Sequence, residues 1–193
     1  MHNVIEKPRA ADLAEAMPAE AQKMGEPGAF DLPTFKTMMS AMPAAVTIIT
    51  CWSDDGQPVG ATLSAVSSLS LSPPLMLACF DRGSKTLDTM GRRGKQFLIH
   101  LLADGQQNVA GLFAGKRPDK FAAIAWERGL LGLPQLPGCM GLIACEVEGL
   151  LPGGDHVIVT GGIRSIAFDE HSQALLYHRR EIYPVPPRGG PQQ

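Results

Sequence analysis

A chain of 193 residues with 45% hydrophobic content carries enough apolar side chain for one sizeable core and is short for two, so a single domain with tails is expected. Its 17 Lys and Arg against 19 Asp and Glu, a formal net charge of -2, leave no basic excess with which to grip phosphate backbones, which argues against a nucleic-acid partner. The 21 Gly and 16 Pro favour short strands joined by loops over long helices.

Residues 1–29 mix Ala, Glu, Lys, Pro and Gly without a sustained apolar period and are expected to form a flexible arm. No apolar stretch follows a basic start, and no run approaches the ~18 apolar residues of a membrane span, so a cytoplasmic protein without a membrane partner is expected. The domain itself is expected over 30–185. It opens with a short helix in "DLPTFKTMMSAMP". There Phe35, Met38, Met39 and Met42 recur at i, i+3, i+4 and i+7 behind an Asp31 cap, with Pro33 in the first turn and Pro43 barring continuation. The methionine stripe reads as core packing, since Met fills irregular apolar gaps.

"AAVTIITCW" is rich in β-branched residues and reads as a strand, and the Asp-Gly turn in "SDDGQP" returns the chain as a hairpin into "VGATLSAVSSLSL". "PPLMLACF" and "KQFLIHLL" are buried-strand candidates, separated by a helix expected from Ser84 to Arg93. A second helix is expected from Asp104 to Gly115, with Asp104 and Gln107 as a variant capping box and Val109, Leu112 and Phe113 on one face. "LIACEVEGL", "HVIVTGGIRSIAF" and "ALLYH" bring the total to about seven strands. Because the helices do not alternate with strands, a doubly wound parallel sheet is disfavoured, and a mainly β, closed or partly closed antiparallel barrel with peripheral helices is expected. Residues 186–193, rich in Pro and Gly, are expected to form a flexible tail. Cys51, Cys79, Cys139 and Cys145 show neither a CxxC pair nor zinc-like spacing with His; they read as free core thiols, and no metal site is expected.

No dinucleotide fingerprint or P-loop is present, because "GGDHVIVTGG" lacks the glycine spacing and precedes a strand. A phosphate-bearing ligand would have to be held by hydroxyls and backbone N–H groups, and Ser84, Lys85 and Thr86 stand at a helix start suited to an anion. Ser84 as a plain helix cap is the alternative reading of the same residues.

The ordered blocks "MPAAVTIIT", "GATLSAVSSLSLSPPLMLACFDRGSKTL", "FLIHLLADGQQNVAGLFAG", "DKF", "GGDHVIVTGGI" and "LLYHRREIYPV" closely resemble the flavin reductase-like family, short-chain NAD(P)H:flavin oxidoreductases that supply reduced flavin to two-component monooxygenases. The resemblance covers roughly Phe30 to Val185. It implies an FMN-binding split β-barrel of Greek-key type, usually a homodimer, that binds FMN or FAD and takes electrons from NADH or NADPH. By this resemblance Thr62, Leu63, Ser64, Ala65, Val66 and Ser67 would line the flavin ring and ribityl chain. Asp81, Ser84, Lys85 and Thr86 would take the phosphate end. Backbone amides around Ala44 and Ala45 would favour the negative charge left near N1 of the ring.

His156 in "GGDH" matches a family histidine placed over the flavin face near the nicotinamide, where it would orient the ring for hydride transfer. Asp155 beside it would orient the imidazole or simply serve the turn. Phe121 in "DKF" would lie near the flavin or in the core. Arg179 or Arg180 would meet the nicotinamide nucleotide's phosphates or form a solvated strand end. Two positions depart from the pattern: His100 stands where relatives often carry Asn, and Ala65 where many have Ser. The expected function is therefore an NAD(P)H-dependent flavin reductase feeding a partner monooxygenase. The alternative is a non-catalytic or tightly flavin-retaining barrel used as a sensor or electron-transfer module.

Overall fold

The computed structural model describes residues 31–117 and 119–186. The expected arm over 1–29, Phe30 and all of the expected tail except Pro186 lie outside the described residues. The chain begins with α1 (Leu32–Ser40), whose first turn is closed by Thr34 N–H donating to Asp31 Oδ1 at 2.7 Å, with Pro33 in that turn. Short β1 (Ala44–Ala45) leads to β2 (Thr47–Trp52), β3 (Pro58–Leu63), β4 (Val66–Leu71) and β5 (Pro74–Asp81). Then come α2 (Lys85–Met90), β6 (Gln96–Leu101), α3 (Gln107–Ala114), and a small hairpin of β7 (Glu127–Arg128) and β8 (Pro134–Gln135). Two long strands, β9 (Gly141–Gly153) and β10 (His156–Phe168), precede a closing hairpin of β11 (Leu175–His178) and β12 (Glu181–Pro184).

Seven strands form one antiparallel sheet in the order β3-β2-β6-β9-β10-β5-β4, and β1-β11-β12 form a second, smaller sheet. The run read as a single strand, "VGATLSAVSSLSL", divides at Ser64–Ala65: its first half pairs with β2 and its second with β5. Ala65 turns its carbonyl to Cys79 N–H at 2.9 Å as the chain crosses over. Since β3 and β4 are the opposite edges of the sheet yet only two residues apart, the sheet must curl until its edges approach. No ladder joins those edges among the described residues, so of the closed or partly closed barrel expected the closed form is not seen, and the sheet is open and curled.

Curling creates an interior filled by Ile49, Phe80, Leu87, Phe97, Val147, Val157 and Val159. A second cluster, with Val46, Ile48, Leu102, Ala110, Phe113 and Leu175, lies on the outside of β2 under α3 and the small sheet. Consequently β2 is buried on both faces, Ile48 facing one cluster and Ile49 the other, which is why its sequence is continuously apolar or β-branched rather than alternating. Gly161 in β10 is required by the interior packing, because a Cβ there would come 2.5 Å from Phe97 Cζ.

Three expectations change. No residue of α1 is buried: Met38 is 62% exposed and the following Met42 56%, because the helix lies on neither cluster and its stripe faces outward. The helix expected from Asp104 starts at Gln107 without a side-chain cap, since the Asp104 carboxylate accepts from Gly105 N–H and Gln107 Nε2 within the preceding turn. The helix expected from Ser84 to Arg93 spans only Lys85–Met90. The four cysteines are free, as expected, and burial pushes the Cys51 and Cys145 thiols up to about 12, which suits apolar packing and not nucleophilic work.

Candidate functional site

The end of β5 and the start of β10 bring together two motifs distant in sequence. Their antiparallel register sets His156 opposite Asp81. The loops beyond are stitched to each other, since Arg82 N–H donates to Asp155 O at 3.1 Å and Arg82 Nε to Gly154 O at 2.7 Å. The tight turn before β10 depends on Gly154 at φ +70°, a left-handed conformation that side chains rarely adopt.

Within that turn His156 Nδ1 lies 2.7 Å from Asp155 Oδ1, and this hydrogen bond is the main reason the Asp155 carboxyl is held below its ordinary value. A carboxylate can only accept, so Nδ1 carries the proton, and Nε2 of the neutral ring is left as an acceptor. Asp155 thus contacts the imidazole as well as standing in the turn. The His156 side chain is 42% exposed and reachable by a ligand.

Across Asp81 the loop continues into α2. Asp81 Oδ1 accepts from Gly83 N–H at 2.7 Å, and Ser84 caps the helix by accepting from Leu87 N–H at 3.4 Å. Ser84 is thus a cap, and it also lines a cavity of about 380 Å³ together with Asp81, Lys85 and Thr86. The lining also includes β3 from Pro58 to Thr62, the end of α3, and the segment carrying Lys116, Arg117, Lys120 and Phe121. Gly60 permits this arrangement, because a Cβ there would meet the Phe113 ring at 2.9 Å. Phe121 stacks edge-on against Phe113 at 5.1 Å and against Trp126 at 5.7 Å, at the edge of the second cluster, and it also lines the cavity.

A second cavity of about 230 Å³ adjoins the first through Thr62 and Ala114. It is mostly apolar, walled by Val46, Leu63, Ser64, Ala110, Gly111, Tyr177 and Ile182. Ala44 and Ala45 stand beside it on β1, Ala44 opposite Tyr177. The Thr62 hydroxyl donates to Ala110 O at 2.7 Å, so toward a ligand it offers lone pairs and not its proton. Of the other candidates, Thr86 is only 3% exposed and contributes little surface, and Ala65, Val66, Ser67 and His156 line neither cavity.

Arg179 and Arg180 form the two-residue turn between β11 and β12 at φ 51° and 68°, where Asn or Gly is usual, so this basic turn holds a strained backbone. Next to it Tyr183 Oη lies 2.9 Å from His178 Nδ1.

The cations of "KRPDK" went unnoticed as site residues in the sequence, although a basic run directly after a helix end is a readable signal. Arg117 is committed to Asp119 through two bonds of 2.8 Å, and this pairing holds the Asp119 carboxyl down at about 2. A cavity lined by hydroxyls and ammonium groups, with an apolar annex beyond Thr62, fits a ligand with a phosphate at one end and a flat ring at the other. A flavin nucleotide has that form.

Residues 39–186 match the family model described as flavin reductase like domain. The reductase subunit HsaB of a flavin-dependent monooxygenase from Rhodococcus jostii (strain RHA1) is 36% identical over 159 residues, which is 82% of this chain and 80% of that protein. A flavin reductase (NADH) from Kitasatospora aureofaciens is 36% identical over 157 residues, covering 80% and 82% of the two chains. Among solved structures, the NADH:FAD oxidoreductase SgcE6 of Streptomyces globisporus, in complex with NAD and FAD fragments, superposes with a TM-score of 0.77 at 25% identity over 83% of this chain and 96% of that one.

Proposed function

The chain belongs to the flavin reductase-like family, an NAD(P)H:flavin oxidoreductase by class, and from that premise we propose that it transfers a hydride from nicotinamide to FMN or FAD and releases the reduced flavin to a separate monooxygenase. The observation that carries the reading is the stitching of the "GGDH" turn to the "DRGSKT" loop through Arg82, which places His156 beside the wall of the 380 Å³ cavity. In this reading residues 30–185 form the working domain, with the curled sheet acting as the split barrel of the family and a second copy completing a homodimer.

The flavin supplies the hydride acceptor; the protein's part is position. Ser84 and Lys85 would hold the phosphate at the mouth of α2, with the buried Thr86 behind them, and Thr62, Leu63 and Ser64 would lead from there to the apolar cavity beside Ala44 and Ala45, where the ring would lie. His156 Nε2 accepts from the amide N–H of the nicotinamide carboxamide, with Asp155 fixing the ring from behind. Such a contact asks for no proton transfer, which agrees with an imidazole whose tautomer is set by a neighbouring carboxylate. The hydroxyl and amide contacts leave the flavin loosely enough held to exchange.

Steady-state NADH and NADPH oxidation with FMN, FAD and riboflavin in parallel tests the proposal. Turnover that saturates with added flavin supports it. A protein that keeps stoichiometric flavin through desalting and leaves the nicotinamide unoxidised would overturn it in favour of a retaining, non-catalytic barrel.

A further inference from the structure

Lys120, on the cavity wall, donates to backbone carbonyls of the fold itself. Its Nζ donates to Phe113 O at 2.8 Å and to Gly60 O at 3.1 Å, and lies 5.8 Å from the centre of the Phe113 ring. The first carbonyl belongs to the last turn of α3, where backbone oxygens lack helical partners, and the second to the middle of β3, where the chain passes under Phe113. Lys120 therefore clasps the two elements that form one side of the cavity. An ammonium has three N–H donors, and these carbonyls take two.

Neither acceptor neutralises the charge. No described carboxylate pairs with Lys120, in contrast to Arg117, which is tied to Asp119. The group is also partly withdrawn from water, and burial lowers its pKa. A half-buried ammonium with a donor in hand, on the wall of a cavity that Ser84 and Lys85 also line, calls for an anion.

We infer that Lys120 acts with Ser84 and Lys85 in letting this cavity distinguish a phosphorylated flavin from riboflavin, using the third donor and the uncompensated charge of the α3–β3 clasp. The inference rests on the reading that the cavity takes the phosphate end of the flavin. An entering phosphate meets a donor whose geometry the two carbonyls have already fixed, so little side-chain freedom remains to be lost on binding.

The experiment is equilibrium binding of FMN and of riboflavin, followed by quenching of flavin fluorescence, to the wild-type chain and to Lys120→Gln, Lys120→Arg and Lys120→Met. Thermal unfolding is run beside each. Gln keeps two amide donors, on a side chain one atom shorter, and drops the charge together with the third donor, so it reports even where Met fails to fold. The FMN-to-riboflavin affinity ratio should fall by about tenfold or more in Lys120→Gln, as for loss of one charge-assisted hydrogen bond, and stay within a few-fold in Lys120→Arg. A folded Lys120→Gln that keeps the wild-type ratio, or loses both flavins equally, overturns the inference and leaves Lys120 a structural clasp. A wild-type chain that binds FMN and riboflavin alike overturns the phosphate reading of the cavity itself.

Discussion

His100 in β6 and His156 at the head of β10 hold the same imidazole in opposite circumstances. His100 is fully buried; its Nδ1 lies 3.0 Å from Ile48 O, and its Nε2 accepts from Leu136 N–H at 3.1 Å. Burial drives its pKa down to about 4, so near neutrality it is an uncharged cross-link between β6, β2 and the loop beyond β8. His156 is 42% exposed and partnered only at Nδ1 among the described residues, by Asp155. The difference teaches that two engaged nitrogens make a histidine part of the fold, whereas one engaged and one open nitrogen leave it oriented and still able to meet a ligand.

The comparison breaks most visibly at His100. Replacing it by Ala orphans a buried carbonyl and a buried N–H and opens a cavity, which should cost about 3–5 kcal/mol of stability, read as the shift of a denaturant midpoint. A titration sharpens the point. A buried base with its pKa lowered from 6.5 to about 4 binds fewer protons folded than unfolded across that interval. Stability is therefore fully present above pH 6.5 and falls as the pH drops toward 4, by about 3 kcal/mol at most from this group. Melting profiles between those limits should slope for the wild type and lose that component in His100→Asn, whose amide can still donate to Ile48 O. An equal slope in both proteins would assign the acid sensitivity to other groups.

Much of this was readable beforehand, and the parts that were not share a cause. The doubly buried "TIITC" of β2, the Asp-Gly hairpin after it and the Asp31 cap are local signals, and the structure repeats them. Residue identity also pointed to Ser84, Lys85 and Thr86 by resemblance, and they do line one cavity. Periodicity announces α1 as a helix but cannot say what covers its stripe, so Met38, Met39 and Met42 read as core packing although all three are exposed. The edge-to-edge crossover at Ser64–Ala65 was hidden because both halves of that run look equally like strand. Lys120 was invisible as a clasp because its acceptors are backbone carbonyls from two distant elements, and a sequence does not show where its carbonyls point.

At His156 the comparison predicts a functional and not a structural loss. His156→Ala should leave the melting temperature and the flavin dissociation constant close to wild type, because the side chain fills no core position and lines neither cavity. It should lower kcat/KM for NADH by roughly ten- to a hundredfold, as expected when a positioning contact is lost and the hydride donor strays from its near-attack geometry. His156→Gln, with an amide oxygen to accept the carboxamide N–H, should recover part of the loss. Anaerobic stopped-flow reduction separates this from binding, and reduction at full speed in the Ala variant would return His156 to the role of a surface turn residue.

The smallest effect belongs to Asp155, which never meets the ligand in this reading. Asp155→Asn keeps the turn and can still accept from His156 Nδ1 through its amide oxygen, but it removes the carboxylate charge that favours the Nδ1 tautomer. With the tautomer less firmly set, a larger share of neutral rings present Nε2 as a donor and cannot accept from the carboxamide N–H. The expected outcome is a loss of a few-fold in kcat/KM for NADH, with stability and flavin affinity unchanged. The same substitution in a His156→Gln background should do nothing further, because a glutamine has no tautomer to set. A loss of equal size in both backgrounds would show that Asp155 acts through the turn that Arg82 ties to β5 and not through the imidazole, and that the orientation of His156 is supplied by the backbone alone.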